Sequence, residues 1–199
     1  MGREFEMKYR ADARQQAAIR AQFGPWRTMT METTYYDTPG GSLSARKITL
    51  RKRMENGKAV CTVKTPAHGG GRGEWETECD DIEAAIPVLC KLGCPEEILL
   101  LTQEGVAPVC GARFTRQFTA ITQSGMELEL ALDEGILLGG GRELPLCEVE
   151  IEAKPSCDAD QDATEAAAKA WGDRFQQEFG LQPEEKSKFS RANALAKGE

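Results

Sequence analysis

The sequence predicts a mainly β (α+β) fold, an antiparallel sheet closed or nearly closed into a barrel with helices packed outside. Three observations carry this. Period-two alternation recurs from residue 3 to residue 154, hairpin signals join neighbouring segments without crossover helices between most of them, and several segments carry one wholly charged face opposite an apolar one.

Arg3 to Tyr9 is the first strand, with Glu4, Glu6 and Lys8 on one face and Phe5, Met7 and Tyr9 on the other. Asp12 to Phe23 follows as a helix opened by Asp12 and stopped by Gly24-Pro25. Thr33 to Asp37 is rich in strand formers and ends in the turn Thr38-Pro39-Gly40-Gly41. Ile48 to Arg53 places Thr49, Arg51 and Arg53 on one face. Asn56-Gly57 turns the chain, and Ala59 to Thr65 returns with Val60, Thr62 and Lys64 in phase.

Gly69 to Gly73 lacks the Gly-Lys-Ser/Thr and the following helix of a phosphate-binding loop, so it reads as a connection, and His68 within it as structural or solvated. Arg72, Glu74, Glu76 and Glu78 share a face of the next strand, with Trp75 opposite. Ile82 to Leu92 and Pro95 to Leu101 are short helices. Strands return at Arg113 to Ile121, at Met126 to Leu132 ending near Asp133-Glu134-Gly135, and at Leu146 to Lys154, giving eight candidates. Asp160 to Phe179 is a helix by its apolar spacing, and the basic tail 186–191 reads as a solvated end.

The 199 residues, 40% hydrophobic and 29% charged, suit one soluble domain spanning 1–199. A net charge of −7 argues against nucleic acid and anionic membranes as partners, while leaving room for a local basic pocket that takes a small anion. No apolar run approaches a membrane span and the start lacks a signal-peptide core, so a cytoplasmic protein, monomer or homodimer, is expected. Seven cysteines without CxxC spacing disfavour disulfide frameworks and zinc knuckles.

One charged strand face belongs in water, but here several strands carry one. If the apolar faces bearing Phe5, Met7, Leu50, Trp75, Leu128, Leu130, Val149 and Ile151 pack under helices, the charged faces line an interior. Buried charge costs several kcal/mol per ion unless paired, hydrated or bound to a ligand. Carboxylates suit Mg²⁺ or Mn²⁺, and Arg and Lys suit phosphate oxygens, so the combination describes a metal–polyphosphate complex.

These residues resemble the CYTH superfamily, the triphosphate tunnel metalloenzymes. The resemblance rests on Glu4-Phe5-Glu6-Met7-Lys8, Tyr35-Tyr36-Asp37-Thr38-Pro39, Leu50-Arg51-Lys52-Arg53, Lys64, Arg72 with Glu74, Arg116, Glu129 with Asp133, Glu148-Val149-Glu150 and Ser187-Lys188. It implies an eight-stranded antiparallel β-barrel enclosing a tunnel. By the same resemblance Arg51, Arg53, Lys64, Arg72, Arg116 and Lys188, with Lys8 beside them, would bind a triphosphate, and Glu4, Glu6, Glu129, Asp133, Glu148 and Glu150 would hold Mg²⁺ or Mn²⁺. Glu74, Glu76 and Glu152 would orient basic residues, and Arg191 would support the tunnel mouth.

The activity implied is hydrolysis of a small-molecule triphosphate, foremost inorganic tripolyphosphate to pyrophosphate and phosphate, with Glu4, Glu6 and Lys8 in the catalytic group. Nucleoside or thiamine triphosphatase, class IV-type adenylate cyclase and a non-catalytic polyphosphate sensor stay open. No tryptophan precedes Leu50-Arg51-Lys52-Arg53, which counts against the thiamine-specific relatives.

Overall fold

Alternation decides which way each strand faces, and in the computed structural model it sorts the side chains into a charged concave surface and two apolar convex ones. The structure describes residues 5–66, 72–153 and 161–199. Glu4, His68, Gly69–Gly71 and Cys157 lie outside them, as does the side chain of Arg72.

The strands are β1 (Phe5–Arg10), β2 (Arg27–Asp37), β3 (Thr49–Glu55), β4 (Lys58–Pro66), β5 (Arg72–Glu78), β6 (Ala107–Gln123), β7 (Met126–Gly139), β8 (Arg142–Ala153) and β9 (Gln182–Pro183). The helices are α1 (Ala13–Gln22), α2 (Ser42–Ala45), α3 (Ile82–Lys91), α4 (Glu97–Leu101), α5 (Gln161–Phe179) and α6 (Lys188–Lys197). All the strands join one nine-stranded sheet, ordered β5-β4-β3-β2-β6-β7-β8-β1-β9. The described ladders are antiparallel.

The expected mainly β fold, antiparallel with helices packed on it, is found, while closure into an eight-stranded barrel is not seen among the described residues. Among the described residues no ladder joins β5 to β1. The outer edge of β1 is instead taken by β9, through Tyr9 with Pro183 and Arg10 with Gln182, and by Glu184 N–H donating to the Lys8 carbonyl at 2.8 Å. These contacts occupy backbone groups that closure would need.

Two apolar layers fill the convex face, as the alternation requires. Leu128, Leu130, Val149 and Ile151 pack with Ala168, Trp171 and Phe175 of α5, and Phe5 and Met7 join them. Leu50, Val63 and Trp75 pack with Ile86 and Leu89 of α3. Helix α1 begins with a capping box, Asp12 accepting from Gln15 N–H and the Gln15 side chain accepting from Asp12 N–H, which confirms its expected start.

Three local expectations fail for tertiary reasons. Asp133-Glu134-Gly135 is not a strand end: β7 runs on to Gly139, because Asp133 stands opposite Arg116 and their charges pair across the ladder. Strand β2 begins at Arg27, six residues before Thr33, because β6 supplies a partner as far as Phe118. The basic tail is not a solvated end but α6, which buries Ala192 against Phe114, Leu137 and Leu146 on the concave side. A Cβ on Gly139 would stand 2.3 Å from the Ala192 carbonyl oxygen, so glycine there lets α6 lie directly on β7.

Candidate functional site

With α6 filling one end of the concavity, the rest is a polar cavity of about 340 Å³, walled by all eight long strands and by the first turn of α6. Glu6, Lys8, Arg51, Arg53, Lys64, Arg116, Glu129, Glu150 and Lys188 line it, together with Glu74, Glu76 and Glu152. Asp133 and Glu148 lie just beneath its floor, fully buried. The backbone of Arg72 starts β5, paired with Pro66.

Register places the acids. Across β1, β8 and β7, Glu6 stands opposite Glu152 and Glu152 opposite Glu129, so these carboxylates form one rung. The next rung sets Lys8 against Glu150, and the third sets Glu148 against Asp133 and Asp133 against Arg116. Like charges directly opposite repel unless compensated. Burial, and then the neighbouring Glu150, push the Glu6 carboxyl up to about 8. Carboxylates are hard oxygen ligands of the kind that suit Mg²⁺ or Mn²⁺.

The third rung is bound up with basic side chains. The oxygens of Asp133, Glu148 and Glu150 lie within 4.8 Å of one another, a spacing that could hold a metal ion. Lys188 Nζ reaches Asp133 Oδ2 at 2.8 Å, Glu148 Oε2 at 2.5 Å and Glu150 Oε1 at 2.5 Å. Arg116 grips Asp133 through two hydrogen bonds, at 2.8 and 2.7 Å, and pairs with Glu150, while Arg191 pairs with Glu148. Burial alone would lower the Lys188 pKa, but Asp133, Glu150 and Glu148 outweigh it and hold it above the ordinary lysine range. Burial would likewise raise Glu150, yet Lys188 and Arg116 bring it well below the usual carboxylate range.

The opposite wall is cationic. Arg51 contacts Glu74 at 3.5 Å and Glu76 at 3.4 Å, and Lys64 contacts Glu74 at 3.0 Å. Arg53 Nε donates to Thr33 Oγ1 at 3.1 Å and its guanidinium lies 3.4 Å from Glu55. Burial, and then the neighbouring Arg51, lower the Arg53 pKa.

Sequence reading missed several members. Tyr35 and Phe189 meet at 5.2 Å between ring centroids, and Thr49 and Ser187 also line the cavity. Thr49 shares the face of Arg51 and Arg53, as its parity requires, and Tyr35 stands opposite Arg51 across β2 and β3, but Phe189 belonged to a segment whose helix only packing reveals. Glu184 also escaped notice. It is buried, pairs with Arg10 at 2.9 Å and Arg191 at 3.7 Å, and so ties β1 to α6. At Glu6, Lys8, Ser187 and Phe189 the cavity adjoins a groove of about 1050 Å³ between β1, the α2 turn and α6.

Comparison with known proteins gives the same picture. The CYTH domain family model matches residues 2–192. An inorganic triphosphatase of Haemophilus influenzae is 29% identical over 123 residues, 61% of this chain and 35% of that protein. The chain thus spans about a third of the length of the curated relative it matches. Among solved structures, the PH1819 protein of Pyrococcus horikoshii superposes with a TM-score of 0.65 at 22% identity, covering 98% of this chain and 99% of that one. The Hippeastrum protein HpAC1, named for adenylyl cyclase and described as having a dominant triphosphatase activity, gives 0.65 at 19% identity, covering 100% and 96%.

Proposed function

This chain belongs to the CYTH domain family, and on that premise we propose that it is a divalent-metal-dependent hydrolase of small-molecule triphosphates, with inorganic tripolyphosphate, cut to pyrophosphate and phosphate, as its foremost substrate. One observation carries the reading: a single cavity has Arg51, Arg53 and Lys64 on one wall and Glu6, Glu129, Glu150 and Glu152 on another. A triphosphate needs the first and a metal the second.

In this reading the cationic wall, with Lys8 and, beyond the described side chains, Arg72, neutralises and aligns the phosphate chain. Glu6, Glu129 and Glu150, with Glu4, Asp133 and Glu148, would hold Mg²⁺ or Mn²⁺, which would supply charge neutralisation and polarisation of phosphate oxygens. Water attacks the terminal phosphorus, the bridging P–O bond breaks, and pyrophosphate leaves with the electron pair. Glu6, with Glu4, would take the water's proton. Arg116 and Lys188 reach substrate only at the cavity floor, since both are engaged with carboxylates.

The relatives support a triphosphatase rather than a bare sensor, since the Haemophilus protein is an inorganic triphosphatase and the Hippeastrum protein is described by its triphosphatase activity. The adjoining groove favours a second reading, an organic triphosphate such as a nucleoside or thiamine triphosphate, hydrolysed or cyclised. The protein works in this reading as one cytoplasmic domain, monomer or homodimer; among the described residues no helix is long and apolar enough to cross a membrane.

Purified protein incubated with tripolyphosphate, ATP and thiamine triphosphate, each with Mg²⁺, with Mn²⁺ and with chelator, tests this. Phosphate release from tripolyphosphate that chelator abolishes is expected. Saturable binding without turnover of any substrate would point to a sensor, and cyclic AMP from ATP to a cyclase.

A further inference from the structure

We infer that Lys188 is a positioning residue that acts as a tethered counter-ion: its ammonium stands in the inner carboxylate seat of Asp133, Glu148 and Glu150 and leaves it when a divalent cation enters. The inference rests on the metal-dependent reading above and adds to it a competitor built into the chain.

The geometry is that of a cation site already filled. The carboxylate oxygens lie within 4.8 Å of one another, and Nζ sits among them at 2.8, 2.5 and 2.5 Å. Nζ donates a hydrogen bond to Glu150 Oε1 and stands at ion-pair distance from Asp133 and Glu148, whose Oε2 is buried without a hydrogen bond. Charge closes as well: three carboxylates face Lys188, Arg116 and Arg191, giving −3 and +3. The guanidinium groups are broad planar forks, Arg116 gripping Asp133 from the adjoining β6 and Arg191 reaching Glu148 from further along α6. Among the described residues only Lys188 touches all three acids, and its compact charge is nearer to a metal ion than a guanidinium is. Two cations cannot share so small a space beneath the floor, because their repulsion is little screened there.

The chain also provides somewhere for the ammonium to go. Lys188 opens α6 behind the N-cap Ser187, whose hydroxyl accepts from Ser190 N–H, and Ala192 fixes the helix against β7. The backbone is thereby anchored, and the buried side chain, which lies over the Phe114 ring, already borders the cavity in which the phosphates would lie. Entry of a metal would deliver this charge from the acids to the anion.

Mn²⁺ titration by calorimetry at constant pH and ionic strength, on the wild type and on Lys188→Met, tests the inference. Removal of the competitor is expected to tighten Mn²⁺ binding by roughly tenfold or more; equal or weaker binding overturns it. The second measurement needs no variant, since loss of the ammonium can unfold the apo protein. Acylation of wild-type lysines, read by peptide mass, should find Lys188 protected without Mn²⁺ and reactive with it, and protection unchanged by Mn²⁺ overturns the inference. Metal-dependent hydrolysis by the wild type without tightening in Lys188→Met would sink the counter-ion alone. Mn²⁺ binding by neither protein would sink it together with the metal-dependent reading.

Discussion

Proton competition at Glu6 gives the sharpest test of the acidic wall. Its carboxyl is pushed up to about 8 by burial and by Glu150, so in the metal-free protein at pH 7 only about one molecule in ten carries the ionised group, and at pH 6 about one in a hundred. A cation that needs this oxygen must first displace the proton. The apparent Mn²⁺ affinity should therefore rise about tenfold per pH unit up to about 8 and level off above it. Calorimetric titration from pH 6 to 9 would show the slope, and Glu6→Gln should both weaken binding and flatten the profile. A flat wild-type profile, or an unchanged slope in Glu6→Gln, would refute the assignment. The same linkage acts on stability: a raised folded-state pKa favours the folded state fully below the unfolded value of 4.5, and that advantage is lost as pH rises to about 8. Metal-free protein should accordingly melt lower at pH 9 than at pH 5 through this group, with Mn²⁺ restoring more at the higher pH.

Four further outcomes follow from named contacts. Arg53→Met removes a cation from the phosphate wall and should raise KM for tripolyphosphate roughly tenfold or more, with kcat less affected, in steady-state kinetics. Arg116→Met leaves Asp133 and Glu150 without their guanidinium and should cost about 3–5 kcal/mol in urea unfolding. Gly139→Ala drives a methyl against the Ala192 carbonyl oxygen and should cost about 1–3 kcal/mol, read by the same assay. Phe175→Ala empties a fully buried site between Phe23, Trp171 and Phe179 and should cost about 3–5 kcal/mol while KM stays near wild type.

Alternation within single strands was enough to determine much of this protein. It told which side of β1, β3, β7 and β8 would be apolar, and Leu50, Leu128 and Ile151 are buried under helices as their parity requires. It also set Glu6, Arg51, Arg53 and Glu150 facing inward, because a period of two is local and survives whatever the sheet does at its ends. Caps were legible for the same reason: Asp12 needs only Gln15 to make its box.

What only the tertiary structure decided depends on partners far apart in the chain. The C-terminal end of β1 is paired by β9, a two-residue strand no pattern could announce. Asp133 sits inside a strand rather than at its end because Arg116, seventeen residues away, lies opposite it. The basic tail becomes a buried helix because Gly139 lets α6 approach and Asp133, Glu148 and Glu150 compensate Lys188. A local pattern can say that a lysine is charged; only the assembled fold supplies three carboxylates around it, and with them the means to bury it.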